Sequence, residues 1–278
     1  MAIRSTWATL VLLGVLGLAA GVAAGQDREP PIRPETSTER EHFQLKLGAG
    51  YDQGDFGTSS TTRSGYAPLT LRYLGERFDV GLVLSLVYLD TESSVVVVEG
   101  LPTASQRQRR TSEVGFGDII LRGRYYLVED AGVDSAVPSL MPFLKVKAPT
   151  ASANKGLGTG EWDVGFGLEF DKRFSEFFIL GDVGYTFIGD PPGQNFRNRP
   201  AASLGIGRFF TPTIAVTALL DWRRSLVSGR DDPLELFGIV QVKLARTLTL
   251  TPYAFAGLTD GSPDFGVGLE LSWRFGRY

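Results

Sequence analysis

From residue 42 onward the chain alternates. Phe43, Leu45, Leu47, Ala49 and Tyr51 stand at every second position, against Gln44, Lys46, Gly48 and Gly50. Successive side chains of a strand point to opposite faces, so a period of two predicts strands with one apolar face and one polar or small face. The same pattern returns at Phe78, Val80, Leu82, Leu84, Leu86 and Tyr88, again at Trp162, Val164, Phe166, Leu168 and Phe170, and last at Phe265, Val267, Leu269, Leu271, Trp273 and Phe275. With the weaker cases between them, twelve strands are predicted near 42–52, 66–75, 78–90, 112–127, 138–149, 161–172, 176–189, 200–209, 212–225, 233–244, 246–258 and 264–276.

The connections sort into two kinds that alternate. Polar stretches at 53–65, 91–111, 150–160, 190–199, 226–232 and 259–263 are separated by mostly tighter turns, with Glu129 to Val137 the long exception. An even strand count, short turns at one end and longer loops at the other is the layout of a bacterial outer-membrane barrel. The expected fold class is therefore all-β, a 12-stranded antiparallel transmembrane β-barrel with both termini on the periplasmic, short-turn side.

Alternation alone does not say which face meets lipid, because a soluble barrel or sandwich also alternates. The polar face decides. It carries glycine at 48, 50, 81, 165, 167, 184, 266 and 268, where a water-exposed strand would carry Lys, Glu or Thr, and glycine suits a crowded lumen. The apolar face places Phe43, Tyr51, Phe78, Tyr88, Trp162, Phe170, Phe187, Trp222, Phe265 and Phe275 toward strand ends, as an interfacial girdle requires. The closing strand poses a choice: either Phe275 ends the pattern with a short tail to Tyr278, or a bulge shifts the register.

The first 41 residues differ. Arg4, an apolar run of about a dozen residues through Leu18, and small residues from Ala19 to Gly25 read as a signal peptide over 1–25; the run is shorter than the roughly 20 a membrane-spanning helix needs. Residues 26–41, with Pro30, Pro31, Pro34 and no period, read as a periplasmic linker, leaving 42–278 as the barrel.

Composition narrows the chemistry. No cysteine is present, so neither a disulfide nor a lipid anchor on Cys can form. The 28 basic and 31 acidic residues are interspersed, which leaves no footprint for nucleic acid. One histidine, His42, offers no partner for a triad or metal site, so no enzyme activity, catalytic residue, metal or cofactor is expected. The glycine strings GFGD at Gly115 to Asp118 and GLGTG at Gly156 to Gly160 precede no helical pattern; they read as a strand start with small inward residues and as a flexible outer loop.

Inward charges carry more. Asp118, Arg122 and Arg124 share a face of the fourth strand, Lys145 and Lys147 of the fifth, Asp163, Glu169 and Asp171 of the sixth, and the seventh adds Asp182. If hairpins pair about their centres, Asp118 lies opposite Lys147 and Lys147 lies near Asp163, a ladder of opposite charge across three strands. Such a ladder rigidifies a lumen, and it also forms a polar constriction; Asp118, Arg122, Arg124, Lys145, Lys147, Asp163, Glu169 and Asp182 are the candidate lumen residues that contact a permeant. Arg72, Arg223, Glu235, Lys243, Glu270 and Arg274 extend the lining. In the longest outer loop, Val95 to Val98 either continue the third strand above the membrane, form an apolar patch at the mouth, or fold inward as a plug.

Three stretches, GFGDIILRGRYYL (115–127), PFLKVKAPTASANKGLGTGEWDVGFGLEF (142–170) and FILGDVGYTFIGDPPG (178–193), resemble the outer-membrane protein family named for the meta pathway of phenol degradation. Pro149-Thr150-Ala151 stands where the family's Pro-Thr-Gly is usual. The resemblance implies a transporter or channel associated with hydrophobic or aromatic compounds. Two functions are carried forward: passive uptake of small aromatic or hydrophobic solutes through a charge-lined lumen, or a structural barrel with partner-binding outer loops and a self-plugged lumen. Expected partners are outer-membrane lipid, a small-molecule permeant and the barrel-assembly machinery during biogenesis.

Overall fold

Alternating segments become antiparallel strands here, and the strands close on themselves. The computed structural model describes residues 42–107 and 110–276; the expected signal peptide, the 26–41 linker and Tyr278 lie outside them. In chain order the strands are β1 (His42–Gly54), β2 (Thr62–Leu74), β3 (Phe78–Thr91), β4 (Val95–Val98), β5 (Leu101–Ala104), β6 (Thr111–Phe116), β7 (Ile119–Tyr125), β8 (Ser139–Ala148), β9 (Asp163–Phe174), β10 (Phe177–Phe187), β11 (Arg199–Thr211), β12 (Ile214–Arg223), β13 (Leu234–Ala245), β14 (Leu248–Gly257) and β15 (Phe265–Gly276). Barrel neighbours pair antiparallel in chain order, and β1 pairs with β15 to leave no open edge. β6 and β7 both pair with β3 and form one stave interrupted at Gly117 and Asp118, so the barrel has twelve staves. β4 and β5 stand apart as a two-stranded sheet.

The wall is inside out relative to a soluble protein. On β1, Lys46 is 2% exposed while its neighbour Leu47 is 52% exposed. The same parity leaves Phe78, Val80, Leu82, Leu84 and Leu86 of β3 exposed and buries Asp79, Val83, Ser85, Val87 and Leu89. Only a hydrocarbon surround makes an exposed sheath of Leu, Val and Phe favourable, and in it the closed sheet satisfies every ladder group.

Aromatic rings mark both ends of that sheath. At the short-turn end Phe43 lies 5.4 Å from Tyr73 and 5.8 Å from Phe275, and Trp273 lies 5.0 Å from Phe275. Toward the other end Phe166, Tyr185 and Phe187 form a second cluster. Phe275 sits opposite Phe43 in a β1–β15 register that runs without a bulge as far as Gly276.

Two departures from the pattern have local causes. β2 begins at Thr62, earlier than the apolar pattern showed, because Thr62 and Ser64 are lumen positions: they hydrogen-bond Thr91 and Asp52 at 2.7 and 2.8 Å. The long periplasmic connection after β7 is ordered around Asp130, which accepts from Lys172 Nζ at 2.5 Å and from the backbone N–H groups of Gly132 and Arg173. Burial opposes its charge, but Lys172 and these donors outweigh burial and hold the Asp130 carboxyl below the usual carboxylate range.

Candidate functional site in the lumen

Inward positions of β2, β3, β7, β8 and β9 build a charged wall. Near the periplasmic end, Asp79 accepts from Arg72 Nη2 at 2.7 Å, from Tyr126 at 2.8 Å and from Arg124 Nε at 3.1 Å. Arg124 Nη1 also reaches Glu169 at 2.7 Å, and Arg122 pairs with the other Glu169 oxygen. Arg122 further stacks on the inward ring of Phe143, 4.2 Å from its centroid. Charges this deeply buried are tolerable only when paired and hydrogen-bonded, which these are.

Toward the outer end, Lys147 is fully buried between Asp163 at 2.8 Å and Asp118 at 3.3 Å, and it donates to Thr159 at 2.9 Å. The register refines the expected ladder: Lys147 lies directly opposite Asp163, but across β7 it faces Ile120, so Asp118 meets it on the diagonal. Asp118 can do this because the stave is interrupted there, and it also accepts from the Ala151 N–H at 2.9 Å. Asp171 accepts from Ser139, and Asp182 from Ser203. Arg223 clasps Glu235 with both guanidinium nitrogens and touches Asp221 at 3.1 Å.

The facing wall, β10 to β14 below its outer rim, carries an apolar strip among inward Asp182, Ser203, Thr217 and Gln241. Phe178, Leu180, Ala215, Leu219, Phe237, Tyr253 and Phe255 are buried together, with Phe209 and Ile239 against them. Their rings pack onto glycine: a Cβ at Gly207 would stand 2.1 Å from the Phe178 ring, and one at Gly268 would stand 2.0 Å from the Tyr253 hydroxyl oxygen. Sequence reading assigned aromatics to the lipid face and missed these. The usable signal was parity, since Asp182 and Glu235 face inward and Phe178 and Phe237 share their phase.

The 91–111 loop folds inward. Val95 to Val98 pair with Leu101 to Ala104 as a hairpin whose valines are all buried. Val95 and Val97 join a cluster with Phe56, Tyr66, Leu89 and Leu157, while Val96 and Val98 pack against Ile188, Phe196 and Leu226 from the opposite loops. Of the alternatives open in sequence, the structure takes the plug. GLGTG is part of this packing, not a flexible loop: Leu157 is buried and Val97 N donates to Gly156 O at 2.9 Å. Full burial of a valine is worth about 1.5–3 kcal/mol, so four of them hold a short hairpin against its ordering entropy.

Glu99 and Gly100 form the hairpin tip with φ of 54° and 80°. Such a two-residue turn favours Asn or Gly at its first position, and Glu there is strained by about 1–3 kcal/mol. Gly100 is fitted for a further reason, because a Cβ would stand 2.4 Å from the Tyr66 ring. Glu99 is buried with its carboxylate 2.7 Å from Lys145 Nζ. Burial opposes its charge, but Lys145, backed by Arg199 and Lys147, outweighs it and holds the carboxyl below the usual range.

A sequence profile of the family described as "Putative MetA-pathway of phenol degradation" matches residues 47–275. The chain belongs to this family. No curated protein matches this family member in sequence. Among solved structures it is similar to an outer membrane channel from Pseudomonas putida F1, at 14% identity over 90% of this chain and 100% of that one, with a TM-score of 0.64. It is also similar to the transport unit of the autotransporter AIDA-I from Escherichia coli (9% identity, 92% of this chain and 95% of that one, TM-score 0.52) and to the KdgM porin (8%, 84% and 99%, 0.51). At such identities these likenesses establish the fold, a barrel of the bacterial outer membrane. With its sheath of exposed Leu, Val and Phe, the family member resides in that membrane.

Proposed function

We propose that the protein is an outer-membrane channel for passive uptake of small aromatic or hydrophobic solutes, closed in this state by its own outer loop. The observation that carries the reading is the nature of the obstruction. What fills the outer lumen is a hairpin supplied by a loop, while the barrel wall behind it holds an apolar, aromatic strip facing a charged one. An apolar lumen strip offers a route to a solute poorly hydrated in water. Residues Asp118, Arg122, Arg124, Lys145, Lys147, Asp163 and Glu169 line the opposite side, Asp182 stands on β10 beside the strip, and together they set the charge field a permeant meets. The similar Pseudomonas putida protein is named an outer membrane channel, which agrees with this reading.

The second reading, a self-plugged interaction barrel, draws on the pairing of the lumen charges, most of which are buried. Planar-bilayer conductance and liposome swelling separate the two. Wild type should conduct rarely, and a barrel with residues 94–105 replaced by a short Gly-Ser linker should conduct steadily and admit small aromatic solutes. A folded linker variant that stays impermeable would establish the interaction barrel instead.

A further inference from the structure

The hairpin is an apolar body tipped by one carboxylate, and the place where that carboxylate sits is unusual in this lumen. Arg72, Arg122, Arg124 and Arg223 each pair with a carboxylate. Arg199, 3% exposed, makes no ion pair among the described residues. Its one hydrogen bond there runs from Nη2 to Thr103 of the hairpin at 3.4 Å, and its Nε has no acceptor. A buried guanidinium with unused donors is costly unless something else satisfies it.

We propose that Lys145 and Arg199 form a carboxylate-binding site in the lumen, filled here by Glu99, which takes the carboxylate of an aromatic or branched apolar acid when the hairpin withdraws. Three observations converge. Glu99 lies 2.7 Å from Lys145 in a buried position. It occupies a left-handed turn position that a glutamate tolerates poorly, so its side chain and not its backbone preference explains its presence. Arg199 holds donors in reserve against the same hairpin, its Nη2 reaching Thr103 at 3.4 Å and its Nε without an acceptor, in the planar fork that suits a carboxylate. Val95 to Val98 then mark where the apolar body of such a solute would lie, against Tyr66 and Leu157 on one side and Ile188 and Phe196 on the other.

The proposal deepens the channel reading and rests on it only for access of solute to the site. Benzoate and its neutral isostere benzamide are the probes, with binding measured by titration calorimetry on the full barrel in lipid. Benzoate should bind the linker-replaced barrel at least 10-fold more tightly than wild type. Arg199→Gln or Lys145→Gln in that barrel should remove the gain, and benzamide should respond to none of these changes. Glu99→Gln in the otherwise intact chain gives the same ordering with a smaller gain, and it carries the test if the linker variant does not fold. Equal binding of benzoate and benzamide, or benzoate binding indifferent to Arg199→Gln, would overturn the site. Conductance is read separately: steady currents with no benzoate preference remove the site and leave the channel, whereas benzoate binding with no current in any variant removes the channel and leaves the site.

Discussion

The two sides of the lumen obey one rule of alternation and reach opposite solutions. On the β2, β3, β7, β8 and β9 side, inward positions carry Arg72, Asp79, Arg122, Arg124 and Glu169, tied by ion pairs. On the β10 to β14 side, the same phase carries Phe178, Leu219, Phe237, Tyr253 and Phe255, packed over glycines like a soluble core. Parity therefore tells which way a side chain points in a barrel wall but not what the lumen must be made of. A charged wall needs every partner present, while an apolar wall needs only matched volume.

The largest effect should come from breaking the charged side. Glu169→Ala leaves Arg122 and Arg124 buried without their shared carboxylate and should cost about 3–5 kcal/mol, read as a lowered urea midpoint for unfolding from lipid vesicles. Replacing the group together, Arg122→Met with Arg124→Leu and Glu169→Leu, should recover most of that loss; a triple variant as unstable as Glu169→Ala would mean that the charges are not exchangeable for packing. On the apolar side Gly207→Val drives a side chain into Phe178, and the same measurement should show a loss of about 1–3 kcal/mol, the cost of overpacking.

Smaller still is the pH response of the plug that lies between the two walls. Lys145, Lys147 and Arg199 favour ionised Glu99, and Asp163 is the facing acid that opposes it. A carboxyl lowered on docking stabilises the docked hairpin above its ordinary value of 4.5, and that stability is lost as pH falls through the lower docked value. Conductance should thus stay low at neutral pH and rise only below about 4.5, and Glu99→Gln should flatten the response. The smallest change is expected on the outward surface. An added Cβ at Gly238 meets nothing within 4 Å, so Gly238→Ala should gain about 0.5–1 kcal/mol at most.

Much of this was legible in the chain. Period-two alternation yielded twelve staves, the inward phase and the outward sheath, because it follows from strand geometry whatever the neighbours are. Inward charges could be named, but their partners could not: whether Lys147 meets Asp118 directly or on the diagonal depends on register, which long-range pairing sets. The aromatic strip was missed because apolar residues in the polar phase read as noise until several staves stand side by side.

The destination of Val95 to Val98 lay furthest from reach. A valine run suits a strand above the membrane and a buried hairpin equally well, and the choice rests on Phe56, Leu157, Phe196 and Leu226, supplied by four other loops. By itself the sequence determined a transmembrane barrel and which side of each strand faces lipid, since both are local consequences of a two-residue repeat. Only the tertiary structure decided where the outer-loop hairpin packs, because that packing is made of contacts between residues far apart in the chain.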